Sequence, residues 1–134
     1  MQKGGTSTVT DVLEYASPSR IAGLNLLNAP GNDLVAATAL ALAGCQLVLF
    51  TTGRGTPFGT FVPTMKVSTN SQLAARKSNW IDFNAGVLLD PEVRMDTVVD
   101  ELVAKVVAVA SGARTCNELS GSKEIAIFKN GVTL

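Results

Sequence analysis

Residues 50–59, FTTGRGTPFG, put three glycines, one arginine and the hydroxyls of Thr51, Thr52 and Thr56 at the end of an apolar run. Glycines at 53, 55 and 59 let the backbone come close to a ligand without a Cβ in the way. The spacing does not fit a dinucleotide fingerprint. The third glycine falls one residue late, and Pro57 with the strand-like FVPTMKVS stands where a helix must begin. A P-loop ending of Gly-Lys-Ser/Thr is absent as well. What remains is a glycine turn carrying a guanidinium, and a guanidinium grips a carboxylate through two parallel hydrogen bonds. The chemistry expected of Arg54 is therefore carboxylate or polyol binding.

Other polar groups fall at comparable places. NAPGND supplies Asn28, Asn32 and Asp33, KVSTN supplies Lys66, Ser68, Thr69 and Asn70, and DFNAG supplies Asp82 and Asn84. Each follows or ends a stretch that reads as a strand, and open α/β sheets bind ligands at the carboxyl ends of their strands. Plainer roles compete with this reading. Asp33 and Asn70 suit helix N-caps, Lys66 suits a paired or solvated strand lysine, and Arg54 suits an internal ion pair.

The positioning elements follow from periodicity. TSTVTDVLEYA, 6–16, spaces Val9, Val12, Leu13 and Ala16 as a short helix would. GLNLL, 23–27, reads as a strand. Asn32 or Asp33 caps a small-residue helix over 34–44, which Gly44 ends. CQLVLF, 45–50, is a continuous apolar strand of the kind buried in a parallel sheet, so strand–helix–strand reads as a right-handed crossover. TMKVST, 64–69, is a strand and SQLAARK, 71–77, a short helix. WIDFNAGVLL, 80–89, is a strand or loop. DPEVRMDTVVDELVAKVVAVASG, 90–112, is a helix with Asp90 as cap, Pro91 at its first position, and Val98, Leu102, Val106 and Val109 on one face. EIAIFKNGVTL, 124–134, alternates like an edge strand with an Asn-Gly turn. These elements make one α/β domain over 1–134, a three-layer α/β/α, Rossmann-like sandwich on a mostly parallel sheet.

Composition narrows the function classes. Eleven basic residues balance 11 acidic ones, so no nucleic-acid footprint exists. The mean hydropathy is +0.28, yet no stretch reaches the ~18 apolar residues of a membrane span. Two cysteines, Cys45 and Cys116, are too few for a disulfide framework and read as cytoplasmic thiols. The polar start MQKGGTSTVTD has no signal-peptide core and reads as a Met joined to mid-protein sequence. Histidine is absent, which removes the commonest general base and transition-metal ligand.

The blocks GLNLLNAPGNDLVAATALALAGCQLVLFTTGRGTPFG, VPTMKVSTN and WIDFNAG resemble the C-terminal catalytic region of the altronate dehydratase/galactarate dehydratase family. The resemblance runs from about residue 6 to the C-terminus. It implies a fragment of a larger hydro-lyase that dehydrates a hexonate or hexarate to a 2-keto-3-deoxy acid. It also implies that the fragment alone is inactive and that a divalent metal, iron or manganese, takes part. Carried onto this sequence, the reaction would use Lys66 and Asp33 in catalysis. Asn32, Arg54, Thr52, Asn70 and Asn84 would bind the substrate, and Asp82 is a metal candidate. The implied partners are the sugar acid, the remaining domains of the same enzyme and a second copy of the chain. A non-catalytic sugar-acid-binding or assembly domain is the rival reading. Either way, Asn32, Arg54, Asn70 and Asn84 are expected to border one cleft.

Overall fold

A computed structural model describes residues 4–129. Its order is β1 (Val9–Leu13), β2 (Leu24–Leu27), α1 (Asp33–Leu42), β3 (Val48–Thr52), β4 (Thr64–Ser68), α2 (Ser71–Arg76), β5 (Phe83–Asn84), a 3-10 helix (Ala85–Leu89), α3 (Met95–Ala110) and α4 (Cys116–Leu119). All strand pairings are parallel: β1 with β2, and β3 with β4 with β5.

The chain is α/β, with helices on both faces of the β3–β4–β5 sheet. Alternation along β4 sets the layers. Met65 and Val67 turn to one face and pack with Val109, Leu102 and Val106 of α3. On the other face Val48 clusters with Ala37 of α1 and with Phe58. The register places Phe50 beside Lys66 on that same face. Helix α1 can be nearly all small and apolar because Ala37, Thr38, Ala39 and Ala41 are buried.

Four local expectations need correction. The segment expected as a helix over 6–16 contains β1. Its run of Thr and Val is stiff at χ1 and favours extended backbone, and four apolar positions cannot fix a period. Thr10 Oγ1 then donates to Leu24 O at 3.1 Å. The strand–helix–strand unit around α1 is not a crossover within one hydrogen-bonded sheet, because β2 pairs only with β1. The long helix starts at Met95, with Arg94 as its cap residue, and not at Asp90. Asp90 instead closes a turn, accepting from Glu92 N at 3.0 Å and Val93 N at 3.1 Å. Residues 124–129 form no strand pairing. They lie as a strap, with Glu124 N on Gly59 O at 2.7 Å and Ala126 N on Thr38 Oγ1 at 3.2 Å. The expected Asn-Gly turn at 130–131 lies outside the described residues.

The inner face of α3 is as expected, with Val98 and Val109 buried. Its outer face carries Met95, Val99, Val103 and Val107, spaced by four and 46% to 59% exposed. No element among the described residues covers this stripe.

Candidate functional site

Parallel pairing brings the ends of β3, β4 and β5 to one edge, and Asn70 ties that edge together. Its Oδ1 accepts from Leu73 N at 2.8 Å and so caps α2. Its Nδ2 donates to Gly53 O at 2.8 Å and so holds the glycine loop. Buried Ser68 donates to Asn70 O at 2.6 Å. Thr52 O receives both Thr69 N, at 3.0 Å, and Thr69 Oγ1, at 3.3 Å. Thr52 Oγ1 accepts from Gly55 N at 2.9 Å, which shapes the turn from within. Gly55 has φ +83°, a conformation for which glycine is the natural choice.

The third loop joins at Asn84 and Gly86. Asn84 Nδ2 donates to Ser71 Oγ at 3.1 Å, and its Oδ1 accepts from Gly86 N at 3.0 Å. A Cβ on Gly86 would overlap the backbone of Asn70 and Ser71. The FNAG block thus needs its glycine for close packing of two loops. The sequence signal was available in IDFNAG, but its partner was not.

A cleft of about 440 Å³ opens beside this junction, lined by Gly53, Arg54, Asn70, Gln72, Leu73, Arg76 and Lys77. Three of these are cations and none is an acid, so the cleft concentrates positive charge. The Arg54 guanidinium is exposed and forms no ion pair among the described residues, where Arg94–Asp96 is the salt bridge present. The internal ion-pair reading of Arg54 is thereby set aside. Arg76 and Lys77 read as ordinary solvated charges in the sequence. The geometry of α2 brings them to the cleft. A neighbouring cleft of about 590 Å³ shares Asn70 and continues along Ser71, Gly86 and Asp90.

The other expected site residues lie apart from this cleft. Asn32 caps α1 through Val35 N at 3.3 Å. With Asp33 it lines a separate depression of about 420 Å³, alongside Thr56, Phe58 and Glu124. The single cleft expected for Asn32, Arg54, Asn70 and Asn84 is thus divided: Asn70 links the Arg54 and Asn84 loops, and Asn32 borders a different hollow.

Asp82 is fully committed to the backbone. Its Oδ2 accepts from Lys66 N at 2.8 Å and its Oδ1 from Cys116 N at 2.7 Å, which locks β4 to the start of α4. Among the described residues no three His, Cys, Asp or Glu side chains gather as a metal site. The residues present therefore do not fit the implied metal. Burial and the charge of Asp82 push the Cys116 thiol up to about 11, so it is an inert thiol at neutral pH.

Lys66 is the largest fully buried side chain among the described residues, at 1% exposure. Its Nζ lies 5.6 Å from the centroid of the Phe58 ring. It makes no salt bridge or hydrogen bond among the described residues. Burial pushes its amine below the ordinary 10.5, against the opposing pull of Asp82, Cys116 and Glu124.

Residues 1–133 match the family model described as D-galactarate/Altronate dehydratase, C-terminal. The altronate dehydratase of Bacillus subtilis (strain 168) is 58% identical over 133 residues, 99% of this chain and 27% of the relative. The altronate dehydratase of Escherichia coli (strain K12) is 56% identical over the same shares. The galactarate dehydratase (L-threo-forming) of Escherichia coli (strain K12) is 34% identical over 113 residues, 84% of this chain and 22% of the relative. The chain spans about a quarter of the length of the curated relatives it matches.

Proposed function

We propose that this chain, which belongs to the D-galactarate/altronate dehydratase C-terminal family, forms the carboxylate-holding part of a hydro-lyase acting on a hexonate or hexarate. One observation carries this reading: in a chain of that family, a cleft holds three cations and the Asn70 amide with no acid among its lining residues. A sugar acid presents to such a cleft a carboxylate for Arg54 and hydroxyls for amide groups. Identities of 58% and 56% to altronate dehydratases, against 34% to the galactarate enzyme, favour altronate as substrate.

Loss of water from such an acid requires removal of the proton beside the carboxylate, departure of the neighbouring hydroxyl, and stabilisation of the enediolate between them. In this chain Arg54 would orient the carboxylate, and Asn70 would hold the loop that carries Arg54. The ligands of a divalent iron or manganese ion would come from outside the described residues. We assign the exposed stripe of α3 to contact with the remaining domains of the same polypeptide. An apolar helix face of this width is normally covered. The reaction would run in the cytoplasm, in keeping with the free thiols Cys45 and Cys116. No helix among the described residues is long and apolar enough to cross a membrane.

The apolar stripe equally supports the reading of a non-catalytic assembly domain. One experiment separates the two. The polypeptide carrying this domain is expressed at full length and assayed for a 2-keto-3-deoxy acid from altronate and from galactarate. Turnover lost in Arg54→Ala with an unchanged melting temperature supports the dehydratase reading. Turnover indifferent to Arg54 leaves the domain an assembly role.

A further inference from the structure

The Arg54 cleft does not end at its cations. Asn70 and Gln72 line it, and the same two residues line the neighbouring cleft of about 590 Å³. The two hollows therefore share a wall along the start of α2. Asn70 also joins the loops that border them. Its side chain holds Gly53 O, and its backbone lies against Gly86. The Arg54 loop borders the first cleft, and the 3-10 helix that runs from Ala85 to Leu89 leads along the second to Asp90.

The two clefts differ in charge. The first carries Arg54, Arg76 and Lys77 and no acid. The second has Asp90 as its one charged lining residue, among Val87, Leu89 and Val93. Apolar walls of this kind concentrate the field of a charge. The Asp90 carboxylate is only half committed. Its Oδ1 accepts from Glu92 N at 3.0 Å, and its Oδ2 makes no hydrogen bond or ion pair among the described residues. On the shared wall, the Gln72 side chain is exposed and makes no hydrogen bond among the described residues.

We infer that the two clefts form one trough for an open-chain sugar acid, and that Asp90 is a specificity-determining residue that selects a hexonate over a hexarate. The inference rests on the proposed sugar-acid function and deepens it. With its carboxylate at Arg54, such an acid passes its middle hydroxyls over Gln72 and brings its far end to Asp90. A hexonate ends there in a hydroxyl, which donates to Oδ2. A hexarate ends there in a second carboxylate, which has no proton to donate and is repelled. Discrimination then comes from a like charge set against the wrong substrate.

The test is Asp90→Asn in the full-length polypeptide, with kcat/KM measured for altronate, a hexonate, and galactarate, a hexarate. Asparagine keeps the acceptor for Glu92 N and removes the charge. The wild type is expected to prefer altronate. In the variant, kcat/KM for galactarate relative to altronate is expected to rise about tenfold or more. Raising the salt concentration should narrow the wild-type preference and leave that of the variant alone, because the discrimination is one of charge. A residue that merely shaped the turn would lower both substrates together and leave their ratio as it was. An unchanged ratio overturns the inference, as does a wild type that uses galactarate as readily as altronate. If Asp90→Asn fails to fold, Asp90→Ser, which also keeps an acceptor, is read by the same two outcomes. A wild type that dehydrates neither acid, or whose turnover survives Arg54→Ala, fails the sugar-acid reading itself and this inference with it. A wild type that needs Arg54 but keeps its ratio in Asp90→Asn fails this inference alone.

Discussion

At the Asn70 junction side-chain amides bond one loop to the next, whereas on the Lys66 face the ammonium stands over the Phe58 ring and makes no hydrogen bond or ion pair among the described residues. Lys66 lies within β4, and Asn70 follows two residues after that strand ends, as the cap of α2. The difference separates polar groups that tie loops together from a charge set against aromatic rings inside the sheet. At the junction one amide caps a helix and staples the glycine loop, and a glycine lets a third loop close on it. Such an arrangement is rigid, and rigidity is what a binding edge needs. On the Lys66 face the fold carries a charge with only an aromatic ring and distant carboxylates around it.

The comparison can be broken most severely at Gly86. Gly86→Ala drives a methyl into the Asn70 and Ser71 backbone, where no flexible side chain can yield. A loss of about 3 kcal/mol or more is expected in denaturant unfolding, with the Arg54 cleft distorted. A neutral result would mean that the loops have room to part.

Asn70→Ala removes the α2 cap and the bond to Gly53 O together. The expected cost is about 2 kcal/mol, as a capping loss with one further, exposed hydrogen bond. Asn70→Asp sharpens the test. It keeps the cap acceptor and loses the donor to Gly53, so it should recover roughly half of that loss while leaving the glycine loop looser to limited proteolysis.

Lys66→Met probes the other region with the opposite sign. The folded-state amine titrates below its ordinary 10.5. Between the lowered value and 10.5 the unfolded chain binds more protons, so wild-type stability rises with pH across that window. The variant has no such dependence. Any advantage of the variant at neutral pH should shrink as pH climbs towards 10.5. Asp82, Cys116 and Glu124 face the amine and are present in both proteins. The difference between the two unfolding curves therefore isolates Lys66. An advantage that grows with pH would show that the amine is stabilised by those neighbours.

Much of this arrangement was legible in the chain. LNLL, TMKVS and the alanine-rich α1 were readable because strand period, turn residues and helix caps agree there. Asn32 and Asn70 announced themselves as caps, and Asn70 proved to be cap and junction at once. Where signals were short, the reading failed. Residues 6–16 offered too few apolar positions to separate a strand from a helix, and Asp90-Pro91 mimicked a helix start while building a turn. The cationic cleft was half visible. Arg54 stood out among glycines, but Arg76 and Lys77 join it only through the geometry of α2. The burial of Lys66 was not legible, because Phe58 reaches it through a loop whose path no local pattern specifies.

The central claim is that the Arg54 cleft holds a sugar-acid carboxylate. Arg54→Lys in the full-length polypeptide tests it most directly, since lysine keeps the charge and loses the paired hydrogen bonds. The account predicts a KM for altronate raised about tenfold or more, which is the kinetic equivalent of losing roughly 1.5 kcal/mol from a charged hydrogen bond. The melting temperature should not change, because the side chain is exposed and forms no ion pair among the described residues. Wild-type KM and kcat in a variant of unchanged stability would contradict the account.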